Sequence, residues 1–262
     1  MPITEKGSSL SGRVALVTGV SRRVGIGFAI AKRLAERGAN LFIQAWPRFD
    51  AAQPYGADPV GTAALAAHLR RIGTRVEFLE ADFADPDAPR QVINSAEATL
   101  GGVDILIANH AYSTMGALQE LTAENIDAHL VVNVRATLLL IRYFAAQHTG
   151  RPGGRIIMMT SGQHLGPMPE ELAYIASKGA LHQLTRSLSD HLIRRGITVN
   201  TVNPGATDTG YATPAVLEAV RKREPQGRWG QPDDVARLIA WLASDEARWI
   251  TGEVINSTGG GP

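Results

Sequence analysis

Apolar positions along this chain follow two alternating rhythms. Short runs that are apolar throughout read as strands buried on both faces. Between them lie longer stretches whose apolar residues recur at three- and four-residue spacing, the rhythm of an amphipathic helix. Val14–Thr18 is the first run and ends in Gly19; the loop TGVSRRVGIG (18–27) and the helical FAIAKRLAERG follow, closed by Gly38. Asn40–Ala45 is the second strand, 59–72 a helix, and Arg75–Glu80 the third strand. Pro86–Leu100 reads as a helix, Asp104–Ala108 as a strand, and Thr122–His148 as a long helix with Thr122 as its N-cap. Arg155–Thr160 is the fifth strand. A helix runs from Glu170 to Arg195, and Ile197–Val202 is the sixth strand. Gln231–Ser244 is a helix with Pro232 in its first turn, and Glu253–Asn256 is a last short strand. Seven strands alternating with helices predict an α/β fold: a Rossmann-like, doubly wound, parallel seven-stranded sheet with helices on both faces. Ligands of such a sheet bind beyond the carboxyl ends of the strands.

Residues able to do chemistry fall at those ends. They are the glycine loop after strand one, Asp82 after three, Asn109 after four, Ser161 after five, and Pro204-Gly205 after six. Strand, glycine loop, helix and strand open a dinucleotide-binding unit, in which glycines let the backbone approach a pyrophosphate at a helix N-terminus. Glycines here stand at 19, 25 and 27, so the usual G-x-G-x-x-G spacing is absent. The segment 46–58, WPRFDAAQPYGAD, reads as a loop longer than the usual strand-to-helix link.

Composition narrows the classes. The chain has 262 residues, enough for one large core, and is read as a single domain with a flexible N-terminal extension over residues 1–12. A net charge of +1 suggests neither nucleic acid nor an anionic membrane surface as partner. Cysteine is absent, which excludes disulfides, thiolate metal sites and cysteine nucleophiles; no metal site is expected. The polar N-terminus has no signal-peptide core and no long apolar run suggests a membrane span, so a cytoplasmic location is expected.

Within SGQHLGPMPEELAYIASK (161–178), Tyr174 and Lys178 stand four apart on a helix and share a face. An adjacent ammonium favours the phenolate, so this spacing suits a tyrosine used as general acid and base on a carbonyl or alcohol. Ser161 is offered from the tip of a strand.

With Thr18-Gly19, Gly25-Ile26-Gly27, Asp82, Asn109, Asn133 in VVNVRA, Ser161, Tyr174-Ile-Ala-Ser-Lys178 and Asn203-Pro204-Gly205 with Thr209, the chain resembles the short-chain dehydrogenase/reductase family. The likeness runs from Leu10 to Gly260 and is nearest in look to members of the 3-oxoacyl-carrier-protein reductase type. It implies a catalytic set of Asn133, Ser161, Tyr174 and Lys178. Tyr174 would exchange a proton with the substrate oxygen, Ser161 would hold that oxygen, Lys178 would lower the tyrosine pKa and bind the nicotinamide ribose, and Asn133 would anchor a water. The implied cofactor contacts are Gly19, Ser21, Arg22, Arg23, Gly25, Ile26 and Gly27 in the loop. Ala45, Trp46 and Arg48 follow strand two, and Asp82 and Phe83 lie at the adenine. Asn109, His110 and Ala111 follow strand four, Pro204, Gly205, Thr207 and Thr209 follow strand six, and Tyr174 and Lys178 complete the set.

Three departures qualify the likeness. The glycine loop is two residues longer than the family's common form, nearer the divergent enoyl-reductase branch. That branch, however, places six residues between tyrosine and lysine, and position 181 here is Leu, so ketone and alcohol chemistry is favoured over C=C reduction. Ala108-Asn109-His110-Ala111 replaces the usual Asn-Asn-Ala-Gly, read as a repacked turn, and Ser257-Thr258 stands where an acidic residue is common. No carboxylate follows strand two, whereas Arg22, Arg23 and Arg48 are available to a 2′-phosphate, so NADP(H) is expected over NAD(H). A small carbonyl or alcohol is the expected substrate, with 206–224 as a lid. Homotetramer or homodimer assembly is implied by the family, and a non-catalytic NADP-sensing protein is the alternative from another class.

Overall fold

The computed structural model describes residues 9–150 and 152–261. Seven strands form one parallel sheet: β1 (Val14–Val17), β2 (Asn40–Ala45), β3 (Val76–Glu80), β4 (Ile105–Ala108), β5 (Gly154–Met159), β6 (Ile197–Asn203) and β7 (Val254–Asn256). Their spatial order is β3-β2-β1-β4-β5-β6-β7. The chain first steps outward from β1 to β3, then returns to the far side of β1 as β4. Neighbouring crossovers therefore leave β1 and β4 in opposite directions, which opens a crevice at their carboxyl ends.

The strands are apolar on both faces because both are covered. Ala15 and Val17 of β1, with Leu41 and Ile43 of β2 and Ile105 and Ile107 of β4, pack under α1 (Ile26–Glu36), α3 (Gly61–Arg70) and α9 (Pro232–Leu242). The alternate residues Val14, Leu16, Phe42 and Leu106 pack under α4 (Ala88–Leu100), α6 (Ala136–Gln147) and α7 (Leu172–Ile193). Side chains alternate across a strand, so continuous apolar runs feed two separate cores.

Four findings differ from the expectations. The segment 46–58 carries a short helix, α2 (Pro47–Ala51), opened by Pro47 at its first position. The long helix around Asn133 is α5 (Ala123–His129), a π-helical turn (Leu130–Arg135) and α6, and single π turns recur at functional sites. That path, Ala123–Gln147, is long and apolar enough by composition to cross a membrane, although no such run was apparent in the sequence. Here it packs against α4, β4 and α7. Finally, the flexible extension was expected to reach residue 12, yet Leu10 is fully buried and its N–H donates to Arg37 O at 2.8 Å. Residues 1–8 of that extension lie outside the described residues.

Candidate active site

The glycine loop is held by the tip of β4. Asn109 Nδ2 donates to Thr18 O at 2.9 Å and to Gly19 O at 3.2 Å, and its N–H donates to Thr18 Oγ1 at 3.0 Å. Gly19 adopts φ +71°, and a Cβ at Gly27 would lie 2.4 Å from Gly19 O and 2.7 Å from Asn109 Nδ2. Only glycine lets α1 come this close to the loop. Gly25 precedes α1 without a side-chain cap, so the helix presents its first N–H groups to the crevice. Gln44, a polar residue buried in β2, receives the Gly19 N–H at 3.0 Å and donates to Ala81 O at 2.7 Å. The sequence reading passed over it, although a glutamine inside NLFIQA was the available signal.

A cavity of about 500 Å³ fills the crevice. It is lined by Gly19, Ser21, Arg22, Gly25, Ile26 and Gly27, by Trp46 and Arg48, by Asp82 and Phe83, by Asn109, His110 and Ala111, and by Thr209. Most of the expected cofactor contacts therefore meet around one space. Others do not reach its wall. Ala45 is buried in β2, and Arg23 turns to Asp58, with Nε at 3.2 Å. Thr207 spends its hydroxyl on Pro204 O at 3.1 Å and Gly205 O at 3.3 Å, and Gly205 packs against Thr258. Residues beyond the sequence reading also line the cavity, among them Gln44, Asp50 on α2, Tyr55, Ala84, Ala128 and Val132. Asp50 carried no legible signal, because its place depends on how the chain folds after β2.

His110 turns inward. Its Nδ1 lies 2.8 Å from Thr18 Oγ1, its Nε2 is 3.1 Å from Val132 O, and Phe83 packs on its ring at 4.4 Å. Burial, with the Lys178 charge nearby, pushes its pKa down to about 3, so it is a neutral strut between β1, β4 and the π turn.

The remaining chemistry converges on α7. Tyr174 and Lys178 share a face, as their spacing requires, and Ser161 lies close enough to the Tyr174 hydroxyl to favour its ionised form. The Tyr174 ring keeps some exposure, yet burial around its hydroxyl pushes the pKa up to about 12, with Ser161 opposing. Lys178 was expected to lower it. Its ammonium instead sits 5.7 Å from the Tyr174 ring centroid and donates to Met159 O at 3.0 Å, and burial brings its own pKa down to about 8. Asn133 is fully buried in the π turn and clamps two neighbours. Its Oδ1 receives the Tyr112 N–H at 2.7 Å, and Nδ2 donates to Tyr112 O and Ser177 Oγ at 2.9 Å each.

An aromatic row links cavity and tyrosine. Phe49 on α2 meets Tyr112 at 5.3 Å, Tyr112 meets His129 at 4.8 Å, and His129 meets Tyr174 at 6.4 Å. His129 receives the Thr114 N–H on Nε2 at 3.3 Å and reaches Asn125 O through Nδ1 at 2.8 Å, which makes Nδ1 the protonated nitrogen. His164 is exposed in the turn after Ser161 and bonded to Asn256 Oδ1 at 3.0 Å. The segment expected as a lid contains α8 (Pro214–Arg223), capped by Thr213 and tied to Trp229 Nε1 through Leu217 O.

Comparison with known proteins agrees with this arrangement. A family model described as Enoyl-(Acyl carrier protein) reductase matches residues 19–261. The uncharacterized oxidoreductase YjdA of Bacillus subtilis is 42% identical, over 95% of this chain and 96% of its own length. Versicolorin reductase 1 of Aspergillus parasiticus is 33% identical, over 96% of this chain and 97% of its own length. Among solved structures, a short chain dehydrogenase from Burkholderia cenocepacia in complex with NADP is 39% identical, with a TM-score of 0.85 over 96% of this chain and 98% of that one. A blue fluorescent protein from a metagenomic library, in complex with NADPH, is 34% identical with a TM-score of 0.84, over 96% and 98%. With its parallel sheet, its glycine-loop crevice and relatives matched nearly end to end, the chain belongs to the short-chain dehydrogenase/reductase family and is an NAD(P)-dependent oxidoreductase.

Proposed function

We propose that this enzyme interconverts a ketone and a secondary alcohol with NADP(H), using Tyr174 as the acid and base. The observation that carries the reading is Ser161 set beside the Tyr174 hydroxyl, with the buried Lys178 one helical turn from that tyrosine.

The residues fit a nicotinamide dinucleotide. The cavity of about 500 Å³ is of the right order, and the uncapped N-terminus of α1 suits a pyrophosphate. Arg22 and Arg48 would take a 2′-phosphate, Asp82 would face the adenine, and Asn109 and Thr209 line the same cavity. NADP and NADPH in the two related structures support this preference. When bound, the cofactor supplies or accepts a hydride.

The chain's own groups do the rest. At neutral pH Tyr174 is protonated, because burial holds it near 12, so it is set to give a proton to a carbonyl oxygen. Ser161 donates to the same oxygen as negative charge gathers there. Lys178, near 8, is an ammonium at neutral pH and supplies the positive charge behind that oxygen. In alcohol oxidation the proton returns to Tyr174.

The enoyl description of the family model favours a second reading, C=C reduction. The three-residue gap between Tyr174 and Lys178 and the serine at Tyr174 argue for the carbonyl reading. A panel of ketones and enones assayed with NADPH and NADH separates them. Ketones are expected to turn over, NADPH is expected to be preferred, and Tyr174→Phe is expected to lose activity by about a hundredfold or more. Full activity in that variant, or turnover of enones alone, would overturn the proposal.

A further inference from the structure

Tyr174 has charges on both sides along α7. Lys178 stands one helical turn after it, and Glu171 stands three residues before it, at the N-cap. The backbone of Glu171 is pinned. It forms a parallel bridge with Gly116, the Gly116 N–H donates to Glu170 O at 2.7 Å, and the Glu171 N–H donates to Met168 O at 3.2 Å. The side chain is half-buried and does not cap the helix. Among the described residues no hydrogen bond or ion pair reaches its carboxylate, so burial acts on it unopposed and raises its pKa. A carboxylate held this way keeps its full acceptor capacity for a ligand.

Its surroundings are aromatic. The Glu171 charge acts on the hydroxyls of Tyr174 and Tyr211, and Tyr211 acts on Tyr174 in turn, so the three side chains are close neighbours. Tyr211 is exposed and makes a T-shaped contact with the buried Trp229 at 5.9 Å. Tyr174 also ends the row that runs through His129 to Tyr112. Asp208, the other carboxylate acting on Tyr211, already receives the Gly210 N–H at 3.0 Å.

We infer that Glu171 is a specificity residue that binds a positively charged amine on the substrate, so that the preferred ketone carries an ammonium group a few bonds from its carbonyl. A carboxylate supplies opposite charge and accepts the ammonium N–H, and tyrosine rings offer cation–π faces. Side chains three apart at a helical turn have Cβ atoms about 5–6 Å apart, a span that a short carbon tether covers. A ketone with a carboxylate in that place is repelled by the same charge. The inference rests on the carbonyl reading proposed above and names the substrate class within it.

The probes are dimethylaminopropyl methyl ketone, its uncharged carbon analogue isohexyl methyl ketone, and levulinate. The kcat/KM of each with NADPH is measured for the full-length wild type, Glu171→Gln and Glu171→Lys. The wild type is expected to favour the amine over its carbon analogue by about tenfold, the worth of one charge-assisted hydrogen bond, and to use levulinate least. Glu171→Gln is expected to lose that preference, mainly through KM for the amine, and Glu171→Lys to favour levulinate instead. Taking the amine-to-analogue ratio cancels any effect of the substitution on Tyr174 itself. A wild type that favours the carbon analogue, or a ratio unchanged within about twofold in a folded Glu171→Gln protein, overturns the inference and leaves the carbonyl reading standing. If Glu171→Gln does not fold, Glu171→Ala replaces it under the same criterion. If no ketone is reduced, the carbonyl reading falls. The same ratio, taken from calorimetric dissociation constants of the two ketones on the enzyme with NADP+, then decides whether Glu171 binds the amine.

Discussion

Burial lowers the pKa of two titratable side chains near the crevice, leaving one neutral and the other charged at neutral pH. His110 is held at about 3, neutral, because burial and the Lys178 charge disfavour its cation while both ring nitrogens are engaged. The unfolded chain protonates this histidine near pH 6.5 while the folded protein does not, so its contribution to stability is present above pH 6.5 and is lost as pH falls toward 3. Thermal melts between about pH 7 and 4 are expected to fall more steeply in the wild type than in His110→Asn, which has no proton to take up. Lys178 is pulled down to about 8 by burial, so its charge is present below that pH and lost above it. The kcat/KM for ketone reduction is therefore expected to fall as pH rises through about 8. A profile flat from about pH 6 to 10 would remove the ammonium from the mechanism. Chemistry of this kind was only half legible. Tyr174 and Lys178 announced themselves by spacing, but the sign of the tyrosine shift did not. The i, i+4 rule places two side chains on one face and leaves open what surrounds their ends.

At the level of elements, the π turn and α2 decide where the site stands. A π turn widens the helix by one residue, and here it carries Asn133 to the backbone of Tyr112. Asn133→Ala would leave the part-buried N–H and C=O of Tyr112 without their partner, a loss of about 1–3 kcal/mol by chemical denaturation. Turnover is expected to fall as well, because Ser177, the other partner, hydrogen-bonds Tyr174 O at 2.7 Å and belongs to the catalytic helix. Unchanged turnover in a destabilised variant would make Asn133 purely structural. Apolar periodicity carried the helix correctly from Thr122 to His148 but could not show the extra residue, since π and α turns present similar apolar faces. The segment 46–58 was read as a loop because its prolines and glycine break periodicity. Its five-residue helix is stabilised by contacts from elsewhere, including Phe49 on Tyr112.

Across the whole molecule, the two ends of the sheet have separate tasks. The carboxyl ends hold the crevice; near the opposite end Arg155, buried at the start of β5, donates to Ser244 O and to Asp245 Oδ1 at 3.0 Å. Arg13 also pairs with Asp245, at 3.5 Å, so this carboxylate ties β1 and β5 to the link after α9. Asp245 is well exposed, which limits its worth through screening. Asp245→Ala is expected to lower stability by about 1 kcal/mol, or roughly 2–4 °C in Tm, with kcat/KM for ketone reduction unchanged. A loss of activity without a loss of stability would contradict this division of labour.

The amino-acid sequence by itself determined the seven strands, their alternation with helices and the tyrosine–lysine pair, because periodicity and short-range spacing are local properties of the chain. It also placed the ligand-binding edge of the sheet, since strand tips follow directly from strand ends. Tertiary structure alone decided that His110 turns into the core, that Asn133 clamps Tyr112, and that Asp50 enters the cofactor cavity. Each depends on contacts between segments far apart in the chain. Burial, which moved Tyr174 up and Lys178 down, exists only once those segments have packed.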